Sequence, residues 1–258
     1  MNAHARSMRR AVAAPRWRSY ALEARCEFLR LLREPMYVLP TLLFPALFYL
    51  LFAVLLGGGR GPAGAQLLAN YGAFGVIGAG LFGFGVTTAI DRQQGFLQLK
   101  RALPVPPGAW LIARMAMAML FAAMVSLLLM ALAALVAGVG LPAGDWLLLL
   151  AVNVAGVLPF CALGMYLGAL VGGNAAPALI NLLFLPMAFL SGLLLPLAVL
   201  PAALATMAPA WPAYHLGQVA LKVVGGDAGG SLWLHLAVLA LVALAFFLLA
   251  RRRLAVAG

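Results

Sequence analysis

Long apolar stretches alternate with short polar or turn-rich stretches along almost the whole chain. About 20 consecutive apolar residues are enough for an α-helix to cross the hydrocarbon core of a bilayer. Stretches of about this length occur six times, and they predict an all-α polytopic membrane protein with six transmembrane helices. The predicted spans are residues 36–56, 67–90, 109–138, 146–171, 177–195 and 232–250.

Residues 91–101, DRQQGFLQLKR, form a polar segment between the second and third predicted spans. If this segment is helical, Phe96, Leu99 and Leu103 share one face at i, i+3 and i+7 spacing. Pro104 and two further prolines follow directly, and prolines end a helix. The pattern favours a short amphipathic helix on the membrane surface. The alternative is a solvated loop between two spans.

The part of the chain before the first span divides into two predicted regions. Residues 1–15 are basic and low in complexity, and they predict a disordered cytoplasmic tail. Residues 16–35 predict an amphipathic helix in the headgroup layer, with Trp17 and Phe28 on the inserted face. The charged residues of the opposite face are Arg16, Glu23, Glu27 and Arg30. The remaining residues, 36–258, are the predicted transmembrane domain.

Residues 191–220 are apolar, but four prolines interrupt them. The uninterrupted pieces are too short to cross a bilayer, because a crossing needs about 20 residues. Such pieces suit re-entrant or interfacial half-helices between the fifth and sixth spans. The interrupting residues are Pro196, Pro201, Pro209 and Pro212.

Composition supports the membrane assignment, and charge adds an orientation. The chain is 66% hydrophobic and 9% charged, whereas a soluble domain is about 25% charged. Its net charge of +11 comes from bases that lie mostly in the N-terminal tail, in the polar segment and at residues 251–253. Bases collect on the cytoplasmic side of membrane proteins. We therefore expect these three regions in the cytoplasm and an even number of spans.

The sequence contains no catalytic motif. The phosphate-binding pattern GxxxxGK[ST] needs a Gly-Lys pair, but Lys100 and Lys222 both follow leucine. Cys26 and Cys161 lack metal-ligand spacing and predict free thiols. Arg114, near the start of the third span, is expected to snorkel to water. No charge lies near the middle of a span, which disfavours a proton-coupled carrier or an ion-selective pore. Energy for any transport must then come from a partner.

Several of these stretches resemble the ABC-2 family of ABC exporter permeases, from about residue 16 to the end of the chain. Arg33-Glu34-Pro35 resembles the Arg-x-Pro exit of the family's connecting helix. Residues 91–107 resemble its coupling segment, (E)RExGTLExLxxxPV. SGLLLPLAVLP after the fifth span, and APAWPAYHLGQVALK beyond it, resemble two further family patterns.

The resemblance implies that the polar segment docks into a groove of a separate cytoplasmic ABC ATPase subunit. ATP and Mg²⁺ would bind to that subunit, and this chain would hold no cofactor or metal, bind no nucleic acid and have no enzyme activity of its own. The predicted ATPase-coupling residues are Asp91, Arg92, Gly95, Leu97, Leu99, Lys100 and Arg101. The family's two glutamates are glutamines in this segment, which contains Gln93, Gln94 and Gln98, and Phe96 stands where the family has threonine. The salt bridges of those two glutamates are therefore not carried over.

The resemblance also implies a second permease copy, identical or related, in a bacterial inner membrane with both chain ends in the cytoplasm. The pair would export a lipid-linked, amphipathic or drug-like substrate along a path between the two copies. Candidate lining residues are Phe48, Tyr49, Tyr71, Thr87, Asn181 and Phe184. The alternative role of each is packing against neighbouring helices.

Two other functions stay open from the sequence. One is a secondary transporter or channel that acts alone, against which the absence of mid-span charges counts. The other is a membrane assembly factor that transports nothing. A neighbouring reading frame that encodes GxxxxGK[ST] would favour the permease over both.

The distribution of bases predicts the topology. Reporter fusions at Arg60, Asp145 and Asp227 should be active outside the cytoplasm, because these loops lie between the basic regions. Fusions at Gly95, Asn174 and Arg253 should be active inside the cytoplasm. An alkaline phosphatase fusion and a fluorescent-protein fusion at each position would measure on which side of the membrane it lies. An outside signal at Gly95 would contradict the whole arrangement.

Overall fold

A computed structural model describes residues 22, 25–26, 28–30, 32–59, 61–96, 109–226 and 229–256. Within these ranges the chain is helical and has no strand, as the apolar pattern predicts. The main helices are α1 (Pro35–Leu50), α2 (Pro62–Gln93), α3 (Ala109–Leu135), α4 (Ala143–Leu170), α5 (Ala176–Leu190), α6 (Ala202–Ala205), α7 (Pro212–Val223) and α8 (Leu232–Val256). The described helical residues between 22 and 32 are called the N-terminal segment below.

The first predicted span begins where the sequence indicates. Glu34 precedes the helix and Pro35 occupies its first turn, where proline's missing N–H costs no hydrogen bond. Pro40 and Pro45 lie inside α1. The helix continues as a π-helix over Leu51–Leu55, so that the apolar stretch Tyr37–Leu55 has 19 residues.

Among the described residues, five helices are long and apolar enough to cross a membrane. They are Tyr37–Leu55, Pro62–Gln93, Arg114–Leu135, Ala143–Leu170 and Leu232–Leu254. The helix α5 has 15 residues, and at 1.5 Å per residue its length is about 22 Å. The hydrocarbon core is about 30 Å thick, so α5 by itself is too short for the crossing predicted at residues 177–195.

The prediction that the fifth span continues to residue 195 is wrong, because glycine ends the helix earlier. Gly192 adopts φ +79°, a left-handed conformation that glycine reaches without strain. Its N–H donates to the carbonyl of Phe189 (3.2 Å), and the next N–H, of Leu193, donates to Ala188 O (3.3 Å). These two hydrogen bonds form a Schellman motif, which satisfies the last carbonyls and reverses the chain.

Prolines divide the following stretch into short pieces, as predicted. A 3-10 turn over Leu197–Val199 and the four-residue helix α6 each begin directly after a proline. Pro212 then starts α7, which has 12 residues and a length of about 18 Å. These lengths agree with half-helices. Their depth in the membrane stays a prediction.

The helix α2 is the centre of the bundle. It packs against α1, α3, α4, α5 and α7, and most of its side chains are buried. In contrast, α8 exposes large apolar side chains over most of its surface, which suits a helix that faces lipid. The thiols of Cys26 and Cys161 are free, as predicted.

Glycines bring α2 and α4 into backbone contact. Gly164 and Gly168 of α4 face Leu81 and Gly85 of α2. A methyl group on Gly164 would lie 2.7 Å from the carbonyl oxygen of Leu81, inside van der Waals contact. Small residues allow helices in lipid to approach this closely. The α2–α4 spacing therefore depends on the absence of side chains at these positions.

Gly164→Ala should destabilise the bundle, because the added methyl group meets backbone atoms that cannot move aside. Overpacking of this kind costs about 1–3 kcal/mol. Gly144→Ala is the matched control on the same helix, because nothing lies within 4 Å of a methyl group there. Thermal unfolding of both variants in one detergent measures the difference. Equal melting temperatures would contradict the close-packing account.

Candidate functional site

The helix α2 is longer than the hydrocarbon core of a bilayer is thick. With 32 residues, α2 is about 48 Å long, whereas the hydrocarbon core is about 30 Å thick. The second predicted span ended at residue 90, but the helix continues through Asp91, Arg92 and Gln93. These three residues, predicted to belong to a surface segment, are the last turn of a transmembrane helix.

Asp91 is the centre of a buried ionic cluster. Its Oδ1 lies 3.1 Å from Nη1 of Arg30 in the N-terminal segment. Its Oδ2 accepts a hydrogen bond from Nη2 of Arg114 in α3. Arg114 also donates from Nη1 to the hydroxyl of Thr88, one turn earlier in α2 (3.1 Å). Asp91 is 1% and Arg114 0% exposed, so this pair is shielded from water, and Arg30, which is 39% exposed, joins it from the solvent side.

The expectation that Arg114 snorkels to water is wrong. Its guanidinium is fully buried because a carboxylate and a hydroxyl of α2 provide hydrogen-bond acceptors. A buried charge is stable only when it is paired and hydrogen-bonded. The available sequence signal was an acid near the end of one span and a base near the start of the next.

Arg92 and Gln93 fasten α2 to the end of α4. Arg92 donates to the carbonyl oxygens of Ala169 (2.7 Å) and Val171 (2.8 Å). The last carbonyls of a helix lack partners within it, and a cation there also interacts favourably with the helix dipole. The side-chain oxygen of Gln93 accepts a hydrogen bond from Gly173 N (2.7 Å). Two consecutive side chains of α2 thus cap α4 and order the turn after it.

The predicted coupling residues therefore divide into two groups. Asp91 and Arg92 contact other parts of this chain. Gly95, with φ +73°, ends the helix in an open position, and Phe96 after it is 41% exposed. Leu97, Leu99, Lys100 and Arg101 lie outside the described residues, so their docking role stays a prediction.

The N-terminal segment packs on α3, which differs from its predicted insertion into lipid. The ring of Phe28 lies 5.8 Å from that of Phe121 in α3, and Tyr37 of α1 contacts the same ring at 5.3 Å. Arg30, predicted on the charged face opposite Phe28, contacts Asp91 of α2. Trp17 lies outside the described residues. Contacts from two faces of this segment thus attach it to the bundle.

Four of the six substrate-path candidates meet in one aromatic cluster between α1, α2 and α5. Phe48 stacks on Tyr71 (6.3 Å), and Tyr49 meets Tyr71 edge-on (6.5 Å). Phe74, which the sequence interpretation missed, connects Phe48 to Phe184 at centroid distances of 6.0 and 5.0 Å. Aromatic pairs at these distances stabilise packing.

The other two candidates do not join this cluster. The hydroxyl of Thr87 donates to backbone carbonyls one turn earlier in α2, those of Gly83 and Phe84. Asn181 is exposed on α5. Over the described ranges, no group of three or more His, Cys, Asp or Glu residues could hold a metal ion.

The chain is similar to known transport proteins over most of its length. A sequence model of the family described as "ABC-2 type transporter" matches residues 21–225. The chain is also 25% identical over 228 residues to a Bacillus subtilis (strain 168) protein named "Putative transport permease YvfS". That alignment covers 87% of this chain and 92% of the relative. The ionic cluster and the aromatic cluster both lie inside the family match.

Asp91→Asn should strongly destabilise the bundle, because it leaves the guanidinium of Arg114 buried without its carboxylate. Breaking one side of a buried ion pair costs about 3–5 kcal/mol. The matched control is Asp145→Asn in the first turn of α4, a half-buried position. There the carboxylate contributes about 0.3–1 kcal/mol through the helix dipole. Thermal unfolding in detergent compares the two.

A double variant separates pairing from a general effect of the substitution. Because Asp91→Asn/Arg114→Met removes both charges, it should lose less stability than the two single variants summed. Additive losses, or equal losses for Asp91→Asn and Asp145→Asn, would contradict a paired buried charge.

Proposed function

The chain belongs to the ABC-2 type transporter family, and we propose that it is the permease subunit of an ATP-driven exporter. It would move a lipid-linked, amphipathic or drug-like substrate outward across a bacterial inner membrane. A separate cytoplasmic ABC ATPase would supply the energy. The observation that supports this most directly is the connection of the α2 end to three other parts of the chain.

The proposed coupling works through contacts on each side of the α2 end. Asp91 connects α2 to Arg114 of α3 and Arg30 of the N-terminal segment, while Arg92 connects it to the end of α4. A displacement of the polar segment at residue 94 and beyond would therefore move these elements together. Asp91 and Arg92 transmit the motion in this mechanism, and residues after Gly95 make the contact with the ATPase.

The ATPase contact would use the apolar side chains that follow the α2 end. Phe96 is partly exposed directly after the turn at Gly95, and Leu97 and Leu99 continue the apolar pattern. Lys100 and Arg101 would lie at the rim of the contact, where exposed charges contribute little to affinity. ATP and Mg²⁺ would bind to the partner, because this sequence contains no phosphate-binding loop.

A second permease copy would pack on the exposed faces of α1 and α5. Leu43, Phe44 and Leu47 are exposed on α1, and Leu182 and Leu185 on α5. The aromatic cluster of Phe48, Tyr49, Tyr71 and Phe184 lies directly behind these faces. A substrate path between two copies would therefore pass beside this cluster.

Leu97→Asp should release the ATPase and abolish export. Fully burying a leucine contributes about 1.5–3 kcal/mol, and each 1.4 kcal/mol is about tenfold in affinity. A carboxylate in the same groove adds a desolvation cost, so ATPase recovery on the affinity-purified permease should fall at least tenfold. Quantitative mass spectrometry of the eluate measures that recovery, with the permease as the internal reference.

Gln98→Asp is the matched control, because it adds the same charge to the next residue. Position 98 is polar in this chain, and the family has an acid there. The control should retain the ATPase and transport activity. Full recovery with Leu97→Asp would favour the solvated-loop interpretation of the polar segment. Equal losses of ATPase recovery in both variants would indicate charge repulsion rather than binding of Leu97 in an apolar groove.

A further inference from the structure

A cavity of about 470 Å³ lies at the opposite end of α2 from the ionic cluster. Its walls come from the end of the α1 π-helix, the first turns of α2, residues 191–197 and the middle of α7. This volume is within the usual range of small-molecule sites and far above the roughly 30 Å³ that one water occupies. The cavity lies within a single copy of the chain.

The lining is uncharged and mainly apolar, with a few polar groups. Amide and hydroxyl groups of Gln66, Asn70, Tyr71, Ser191 and Gln218 share the walls with leucines and Phe52, and none of the described lining residues is ionisable as an acid or base other than tyrosine. An ionic ligand would be desolvated there without a counter-charge, which is unfavourable. The walls therefore suit a neutral ligand that has both hydrogen-bonding and apolar parts.

Two buried polar groups in this wall have no hydrogen-bond partner within the described part of the chain. They are the hydroxyl oxygen of Ser191 and the side-chain carbonyl oxygen of Gln218. Ser191 is 3% and Gln218 8% exposed. Buried polar groups are nearly always hydrogen-bonded. The Gln218 oxygen is only an acceptor, whereas the Ser191 hydroxyl donates and accepts.

These requirements select the ligand's chemistry. A phosphate ester offers mainly acceptors and cannot satisfy the Gln218 oxygen, and a quaternary ammonium group offers no donor. Hydroxyl groups can donate to Gln218 and exchange hydrogen bonds in both directions with Ser191. The adjacent rings of Phe52 and Tyr71, 5.9 Å apart, provide apolar surface beside these polar groups.

The cavity wall is held in place by the same residues that end α5. The hydroxyl of Tyr71 donates to Leu194 O (3.3 Å), which fixes residues 191–194 against α2. On the other side, Leu193 packs where Gly217 of α7 has no side chain, and a methyl group there would lie 2.7 Å from it. The unpartnered hydroxyl of Ser191 is thus positioned by contacts on two helices.

We propose that this cavity binds the uncharged, hydroxyl-rich head group of an amphipathic molecule, such as an alkyl glycoside. Ser191 and Gln218 hydrogen-bond to its hydroxyl groups, and the apolar wall residues hold the adjoining alkyl chain. The inference rests on the proposed export function only in giving such a site a role, as the place where a substrate is held near its exit. Binding itself requires neither the ATPase nor transport.

The test uses the full chain in lipid nanodiscs and an alkyl β-glucoside with a diazirine next to its head group. After irradiation, mass spectrometry should find adducts on peptides that contain residues 191–197 and 217–221. Alkyl phosphocholine and alkyltrimethylammonium probes with the same chain and diazirine should label these peptides about tenfold less, the effect of one good hydrogen bond. Excess unlabelled glucoside should remove the signal.

Matched substitutions assign the binding to the two polar groups. Ser191→Ala and Gln218→Leu should each lower glucoside labelling about tenfold. Thr206→Val and Asn174→Leu make similar changes at exposed positions outside the cavity and should leave labelling unchanged. Melting temperatures of all four variants identify a folding defect, in which case Gln218→Met, close in length to the original and without an acceptor oxygen, replaces Gln218→Leu.

Equal labelling by the three head groups, or labelling that none of the cavity variants changes, would overturn the proposal and leave a water-filled cavity. The Leu97→Asp variant separates this result from the export hypothesis. It should be labelled like the original chain even when it has lost the ATPase. If the original chain recovers the ATPase but its cavity peptides are not labelled, only the cavity proposal is contradicted.

Discussion

A carboxylate that is held between two guanidinium groups fixes the positions of the helices around it. Asp91 and Arg114 are shielded from water, and removing either would leave a buried charge with large desolvation cost. Their hydrogen bonds are directional, so they restrict α2 and α3 to one relative rotation and height. Arg30 adds the N-terminal segment to the same constraint. Apolar packing in lipid could not set this register, because lipid chains solvate apolar faces equally well.

Along the rest of α2 the constraint is one of shape. Gly85 faces Gly168, and Leu81 faces Gly164, so α2 and α4 approach until their backbones touch. At the end of this contact, Arg92 takes the terminal carbonyls of α4. Close packing sets the distance between the two helices, and the arginine prevents them from sliding along each other. The two devices are complementary, because dispersion contacts have little directional preference and hydrogen bonds have much.

The sequence predicted helices well, because apolar length alone determines which segments can span a bilayer. Prediction failed where long-range partners or the backbone conformation determine where a helix ends. Asp91 and Arg92 were assigned to a surface segment because charged residues usually mark loops. Instead, guanidinium and carbonyl partners on other parts of the chain hold them, and α2 extends through Gln93. Gly192 ended α5 early through a left-handed conformation that an apolar count cannot reveal. The aromatic cluster was partly foreseen, but its link through Phe74 depends on which faces meet.

The proposed coupling site and the proposed binding cavity lie on one helix. Tyr71, which holds the cavity wall through Leu194, and Asp91, which holds the ionic cluster, are separated by 20 residues of α2. That separation is about 30 Å along a helix, the thickness of the hydrocarbon core. No proline interrupts α2 between them, so no backbone hydrogen bond of the helix is lost to proline there. In the proposed mechanism, a shift of the polar segment would reach Tyr71 along this one continuous helix and alter the cavity wall that its hydroxyl positions.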